Sequence, residues 1–166
     1  VSAGNNFSLF LKTNGSVWSM GDNYSGRLGY GGMENRSKPV LVMDSGAVAI
    51  EAGNSHGFIL RSDGSLWAFG ARSWGKLGDG YQSDRNFPVK VVDYGVVSMA
   101  AGNSHSLFVK SDGSVWGMGL NEKGQLALNG LKSTSYSTLI LSSGAAKVAC
   151  EGHYSLILMK DGSLLS

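Results

Sequence analysis

The side chains that could do chemistry here are few: three imidazoles, His56, His105 and His153, and one thiol, Cys150. His56 and His105 lie 49 residues apart in the matching strings NSHGFIL and NSHSLFV. Asn6 and Tyr154 are read as their counterparts in the outer copies, so two of four copies lack an imidazole. A metal site needs ligands converging to about 2.0–2.1 Å from one ion. Imidazoles at equivalent positions of successive units point apart, so their expected role is structural, a ring nitrogen bonding neighbouring backbone at a strand start. No Ser-His-Asp set, paired carboxylates or Cys-His dyad stands out from the repeat. The Gly29-Tyr30-Gly31-Gly32 run lacks the preceding strand, following helix and Lys-Ser/Thr pair of a phosphate loop. The residues give no positive sign of an enzyme and imply no cofactor and no metal.

Chemistry of recognition is better represented. Trp74 aligns with Ser25 and Lys123, and Tyr24, Tyr30 and Tyr81 fall in the same polar loops. Loop aromatics are typical anchors of protein interfaces. Arg27, Arg72, Lys76 and Lys123 accompany them, interleaved with Asp22, Glu34, Asp79, Asp84 and Glu122. The candidate partner-binding set is therefore Tyr24, Arg27, Arg72, Trp74, Lys76, Tyr81, Glu122 and Lys123. The structural alternatives are aromatics covering the loop's own underside and a solvated rim of mixed charge. Trp18, Trp67 and Trp116 read differently, as well-buried packing residues between units, each with an N–H needing one partner.

Positioning these residues is the work of a repeat. Gly15, Gly64, Gly113 and Gly162 stand 49 residues apart, as do Trp18, Trp67 and Trp116. A period of this length means stacked or radial units. Each copy holds an Asn-Gly or Asp-Gly turn between two apolar runs, the strongest short-range hairpin signal. In the second copy Phe58–Leu60 and Leu66–Phe69 flank Asp63-Gly64. A loop, a third strand after Pro88 (Val89–Val92) and a fourth from Val96 to Met99 follow. The first hairpin strand is apolar at consecutive positions, which requires cover on both faces. The expected fold class is all-β, a β-propeller of four-stranded blades. The repeats run approximately 1–49, 50–98, 99–148 and an incomplete 149–166. From Gly144 to Glu151 the last copy is one residue longer, and its next turn one shorter, which suggests a bulge where strand meets turn.

Bulk properties agree. Apolar residues make up 42% and charged residues 16%, too apolar for a disordered chain. Net charge is +2 without a like-charged run, so nucleic acid is not favoured as a partner. No stretch approaches the roughly 18 apolar residues of a membrane span, and a single cysteine excludes an internal disulfide framework.

The string AGNSHSLFVKSDGSVWGMGLNEKGQL, with GRLGYGGMENRSKPV and KLGDGYQSDRNFPV, resembles the regulator of chromosome condensation repeat family along essentially the whole chain. The resemblance implies a seven-bladed propeller, of which this chain would supply about three and a third blades. Its regularity looks more like the bacterial members than the eukaryotic founder. Seven such blades need roughly 340 residues, so an excerpt of a longer protein is expected over two chains completing one ring. The third copy is eroded: Ala127 and Asn129 replace glycines and Ser137 replaces a proline. The resemblance implies a non-catalytic protein-interaction scaffold. Its alternatives are guanine nucleotide exchange or chromatin binding, and a secreted enzyme inhibitor or cell-surface adhesive module. The founder's exchange activity depends on a wedge-like insertion, and the uninterrupted spacing shows none. No residue specifies a compartment; the bacterial likeness tilts expectation toward the extracellular space or cell surface. Open blade edges are expected to favour self-association.

Overall fold

A computed structural model describes residues 1–81 and 83–166. Four antiparallel sheets follow one another along the chain. The first holds β1 (Ser2–Ala3), β2 (Phe7–Leu11), β3 (Val17–Gly21) and β4 (Arg36–Met43). The second holds β5 (Ala47–Ala52), β6 (His56–Arg61), β7 (Leu66–Gly70) and β8 (Arg85–Val92). The third holds β9 (Val96–Ala101), β10 (His105–Lys110), β11 (Val115–Leu120) and β12 (Ser133–Leu141). The last has three strands, β13 (Ala145–Glu151), β14 (Tyr154–Met159) and β15 (Leu164–Leu165). Strands lie in sequence order within every sheet, the up-and-down blade of a propeller.

The blades are offset from the sequence copies. The run from Val96 to Met99, read as the fourth strand of the second copy, belongs to β9, which pairs with β10 as the inner strand of the next sheet. Each copy thus hands its last strand to its neighbour, so the chain passes from the outer strand of one sheet to the inner strand of the next. The longer last copy is also accommodated without a bulge at its turn. Cys150 faces Ser155 as Ala101 faces Ser106, and one further pair, Glu151 with Tyr154, extends the ladder into a two-residue turn.

The continuous apolar strands are covered on both faces, as their pattern requires. His56 to Leu60 and His105 to Val109 are buried without a break, whereas β2 alternates and β14 alternates between exposed and half-buried residues. The core lies between sheets. Leu9, Val17 and Leu28 meet Ile59 and Phe69 across the first interface; Leu60, Leu66 and Leu77 meet Phe108 and Met118 across the second. The outer strands break their own edges. Ser37–Pro39, Asn86–Pro88 and Ser135–Ser137 each set three residues against one on the partner strand. Such bulges, with prolines lacking an N–H in two of them, blunt an edge that would otherwise template further strands.

The hairpin turn carries a relay of hydrogen bonds. Trp67 Nε1 donates to Ser65 Oγ at 3.0 Å, Ser65 Oγ donates to Asp63 Oδ1 at 2.6 Å, and Ser65 N donates to the same oxygen at 2.9 Å. Asp112, Ser114 and Trp116 repeat it, as do Asn14, Ser16 and Trp18. The serine donors, hydroxyl first and amide second, hold the carboxyls of Asp63, Asp112 and Asp161 below the usual carboxylate range. Trp67 and Trp116 pack against the interface cores, and all three tryptophans are half-buried where enclosure was expected. A cation covers the exposed ring faces, with Lys12 Nζ 4.3 Å from the Trp18 centroid and Lys110 Nζ 5.2 Å from that of Trp116. Ser114→Ala removes the centre of one relay and should cost about 1 kcal/mol, read as a lower urea midpoint with an unchanged m-value.

Candidate partner interface

Because strands alternate in direction, the short turns after each inner strand and the long loops before each outer strand emerge at one end. The short turns are bonded blade to blade: Asn5 N to Asn54 O at 3.2 Å, Asn54 N to Gly102 O at 3.3 Å, and Asn103 N to Gly152 O at 3.4 Å. They line a polar cleft of about 240 Å³ at the inner edge of the sheets. The long loops, 22–35, 71–84 and 121–132, surround them.

Buried side chains fix the loops from within. In the first loop Asn23 is fully buried; its Nδ2 donates to Gly32 O at 2.9 Å and its Oδ1 accepts from Leu28 N at 3.0 Å. Asn121 does the same work in the third, donating to Leu128 O and Leu131 O and accepting from Leu126 N. The second loop has Arg72 at this position and is held otherwise. Arg72 N donates to Asp84 Oδ1 at 2.9 Å, while Asp79 and Arg85 form an ion pair at 2.7 Å. The Arg85 guanidinium lies 4.5 Å from the Tyr81 ring centroid. The clamping amides were not singled out from sequence, although Asn23 and Asn121 share a repeat position, which is the signal that marks them.

Two of the candidate residues are not on the surface. Arg27 and Lys76, only 7% and 3% exposed, point inward and tie the loops to the short turns. Arg27 Nη1 donates to Asn5 O at 3.0 Å and pairs with Asp22 at 3.2 Å. Lys76 Nζ donates to Ser55 Oγ at 2.8 Å and approaches Asn103 O of the next blade at 3.4 Å. Burial, with Arg27 adding repulsion, lowers the Lys76 ammonium to about 8. Both cations serve carbonyl and hydroxyl oxygens inside the protein, so they are removed from the surface set. Tyr30 is likewise internal to its loop, its hydroxyl donating to Glu34 O at 2.9 Å under the Arg36 guanidinium.

The remaining candidates reach solvent. Tyr24 is 74% exposed, Trp74 54% and Tyr81 64%; Glu122 and Lys123 are exposed and Arg72 half-buried. Trp74 adopts φ +65°, a left-handed conformation that costs a bulky L-residue on the order of 1 kcal/mol. Ser25 occupies the same conformation at φ +61°. The turn is closed by Gly75 N donating to Arg72 O at 2.7 Å, and it holds the indole outward. Tyr136 joins this end unannounced by sequence. It is 67% exposed and bridged to Asp79 of the preceding loop, while Gly80 N donates to Ser135 O at 3.0 Å.

The histidines prove to be latches between blades. His56 Nε2 lies 2.9 Å from Ser106 Oγ, which donates to Lys76 O at 3.0 Å. His105, Ser155 and Gln125 O repeat the arrangement. The partner is thus a serine hydroxyl of the next blade, where neighbouring backbone was expected. The Ser–His distance resembles a nucleophile–base pair, but the chemistry is reversed. Serine gives its proton to a carbonyl, so histidine is the donor, and in the first latch both residues are fully buried. Burial, then Lys76, drives His56 well below its ordinary value, and burial brings His105 to about 4. The ladders place Phe7, not Asn6, at this position in the first blade, and Gly57 replaces serine opposite it. Burial also pushes the thiol of half-buried Cys150 up to about 12, keeping it protonated.

A family model described as "Regulator of chromosome condensation (RCC1) repeat" matches residues 14–60 and 63–109, and a second of the same description matches 47–76 and 96–125. No curated protein matches the sequence. Among solved structures, human WBSCR16 superposes with a TM-score of 0.84 at 26% identity, over 97% of this chain and 44% of that one. Prp20p from Saccharomyces cerevisiae, in a structure whose description names its binding to Gsp1p and histones, gives 0.82 at 24% identity over 93% and 42%. The ectodomain of the Arabidopsis thaliana receptor kinase ACR4 gives 0.60 at 19% over 98% and 52%. The chain therefore spans less than half the length of the first two. With four successive up-and-down sheets and repeat matches over more than half its length, the chain belongs to the regulator of chromosome condensation repeat family.

Proposed function

We propose that this chain is a non-catalytic interaction scaffold that binds a protein partner through its long-loop end. The observation that carries the reading is Trp74, an exposed indole held in an unfavourable backbone conformation by a closed turn. Backbone strain retained at an exposed aromatic is characteristic of binding positions. Tyr24, Tyr81 and Tyr136 add exposed aromatic surface at the same end, and Arg72 adds a guanidinium without an ion-pair partner among the described residues. The solved yeast relative, described by its binding to Gsp1p and histones, and a second structure with Kap60 bound show protein recognition on this fold in those proteins.

The test separates binding from folding. The protein, immobilised through the opposite end, is used to isolate its partner from extract of its own source, and affinity is then measured with the purified pair. Trp74→Gly should weaken binding at least tenfold, as loss of a tryptophan anchor worth about 2 kcal/mol does. The same substitution relieves the left-handed strain and should leave the urea midpoint unchanged or raised. Unchanged affinity in Trp74→Gly combined with Arg72→Ala would remove this end from the interface.

A further inference from the structure

The chain contains two Asn-Gly steps, Asn14-Gly15 and Asn129-Gly130; both asparagines are exposed, Gly130 is exposed and Gly15 half-buried. Glycine after asparagine leaves the backbone nitrogen unshielded, so its attack on the asparagine side chain is sterically open. The structure surrounds the two steps differently. Asn14 Oδ1 accepts from Ser16 N at 3.1 Å and from Ser16 Oγ at 2.8 Å, which turns its Cγ toward Ser16. Gly15 N donates to Lys12 O at 2.9 Å, and Gly15 O accepts from Ala47 N of the next blade at 3.1 Å. Both reacting groups are committed, and reaction requires the hairpin to open.

Asn129 sits where the earlier copies have Gly31 and Gly80, in the eroded third loop. No hydrogen bond among the described residues reaches its side chain or Gly130 N; one 3.4 Å bond, Leu131 N to Leu128 O, spans the step. Gly130 has φ +77° and open space where a side chain would stand. From this contrast we propose that Asn129 is a native-state deamidation site, and that Asn14 is protected by its turn.

The chemistry is self-contained apart from water. Gly130 N loses its proton and bonds to Asn129 Cγ, giving a tetrahedral intermediate; Nδ2 takes up a proton, the Cγ–Nδ2 bond breaks, and ammonia leaves as the succinimide forms. Water then opens the ring at either carbonyl, giving aspartate or isoaspartate. Either product adds one negative charge to the loop 121–132, whose ionisable residues are Glu122, Lys123 and Lys132, taking it from +1 to neutral. The reaction does not depend on the loop meeting a partner.

The test is incubation of the folded protein at mildly alkaline pH, with peptide mapping that resolves asparagine, aspartate and isoaspartate at both positions. The Asn129 peptide should convert to both products while Asn14 lags by about tenfold or more, since its opening must break several hydrogen bonds. In denaturant the two rates should converge. Ser16→Ala should speed Asn14 specifically, and Asn129→Gln should abolish conversion in the third loop. Equal rates in the folded protein, faster conversion of Asn14, or a difference that survives denaturant would each overturn the assignment.

Discussion

Phe108→Ala is expected to cost about 3–5 kcal/mol, the range for deleting a fully buried phenylalanine. The ring is 1% exposed, lies parallel to Trp116 at 6.4 Å between centroids, and packs in one cluster with Leu77 and Met118 of the two blades it joins. Leu107 and Val109 on the same strand belong to the next interface and do not line its space. Repeat stability is a sum of unit and neighbour terms. The damage should therefore be local: amide hydrogens of β9 to β11 lose protection first, while those of β2 and β3, whose cluster excludes Phe108, keep more of theirs. Urea unfolding combined with hydrogen exchange reads both. A uniform loss across all sheets would show a single cooperative core in place of stacked interfaces.

Acid should loosen the stack through the histidine latches. His56 and His105 are neutral in the folded protein, with values driven below the ordinary 6.5 by burial. In the unfolded chain they protonate near about 6.5. The unfolded state thus binds more protons below that pH, and stability present above it is lost as pH falls toward the folded values, about 4 for His105. The slope should reach up to about 1.4 kcal/mol per pH unit for each histidine. Urea midpoints at about pH 7 and about pH 5 measure it. The first interface suggests the control, since Phe7 and Gly57 hold the latch positions there without a titrating group. His56→Phe with Ser106→Gly should remove one histidine's share of the acid slope and leave that of His105. If the doubly substituted protein keeps the full slope, the carboxylates and not the latches set the acid limit.

Much of the fold was legible because its signals are local. An Asp-Gly turn between apolar runs makes a hairpin whatever surrounds it, and consecutive apolar residues in β6 and β10 demand cover on both faces. The blade offset was not legible. Val96–Met99 has the same alternation whether it ends one sheet or begins the next, and pairing across Phe108 decides which. The candidate interface divides along the same line. Tyr24, Trp74 and Tyr81 break the period and are exposed, so departure from the repeat identified them. Arg27 and Lys76 sit in equally polar loops, yet Asn5 O, Ser55 Oγ and Asn103 O lie within their reach, inside the protein. Tyr136 reached the long-loop end through a bridge to Asp79, a neighbour 57 positions earlier that no local pattern could name.

The sequence by itself determined the repeat, the hairpins, the two-sided cover of the second strand and hence a propeller. These follow from periodicity and from backbone preferences of a few residues at a time. Tertiary structure alone decided which polar side chains are spent on holding blades and loops together and which remain exposed. The physical reason is that an arginine, a histidine or an asparagine satisfies its hydrogen bonds with whatever the fold brings near. That partner is set by packing between blades and not by the residues beside it in the chain.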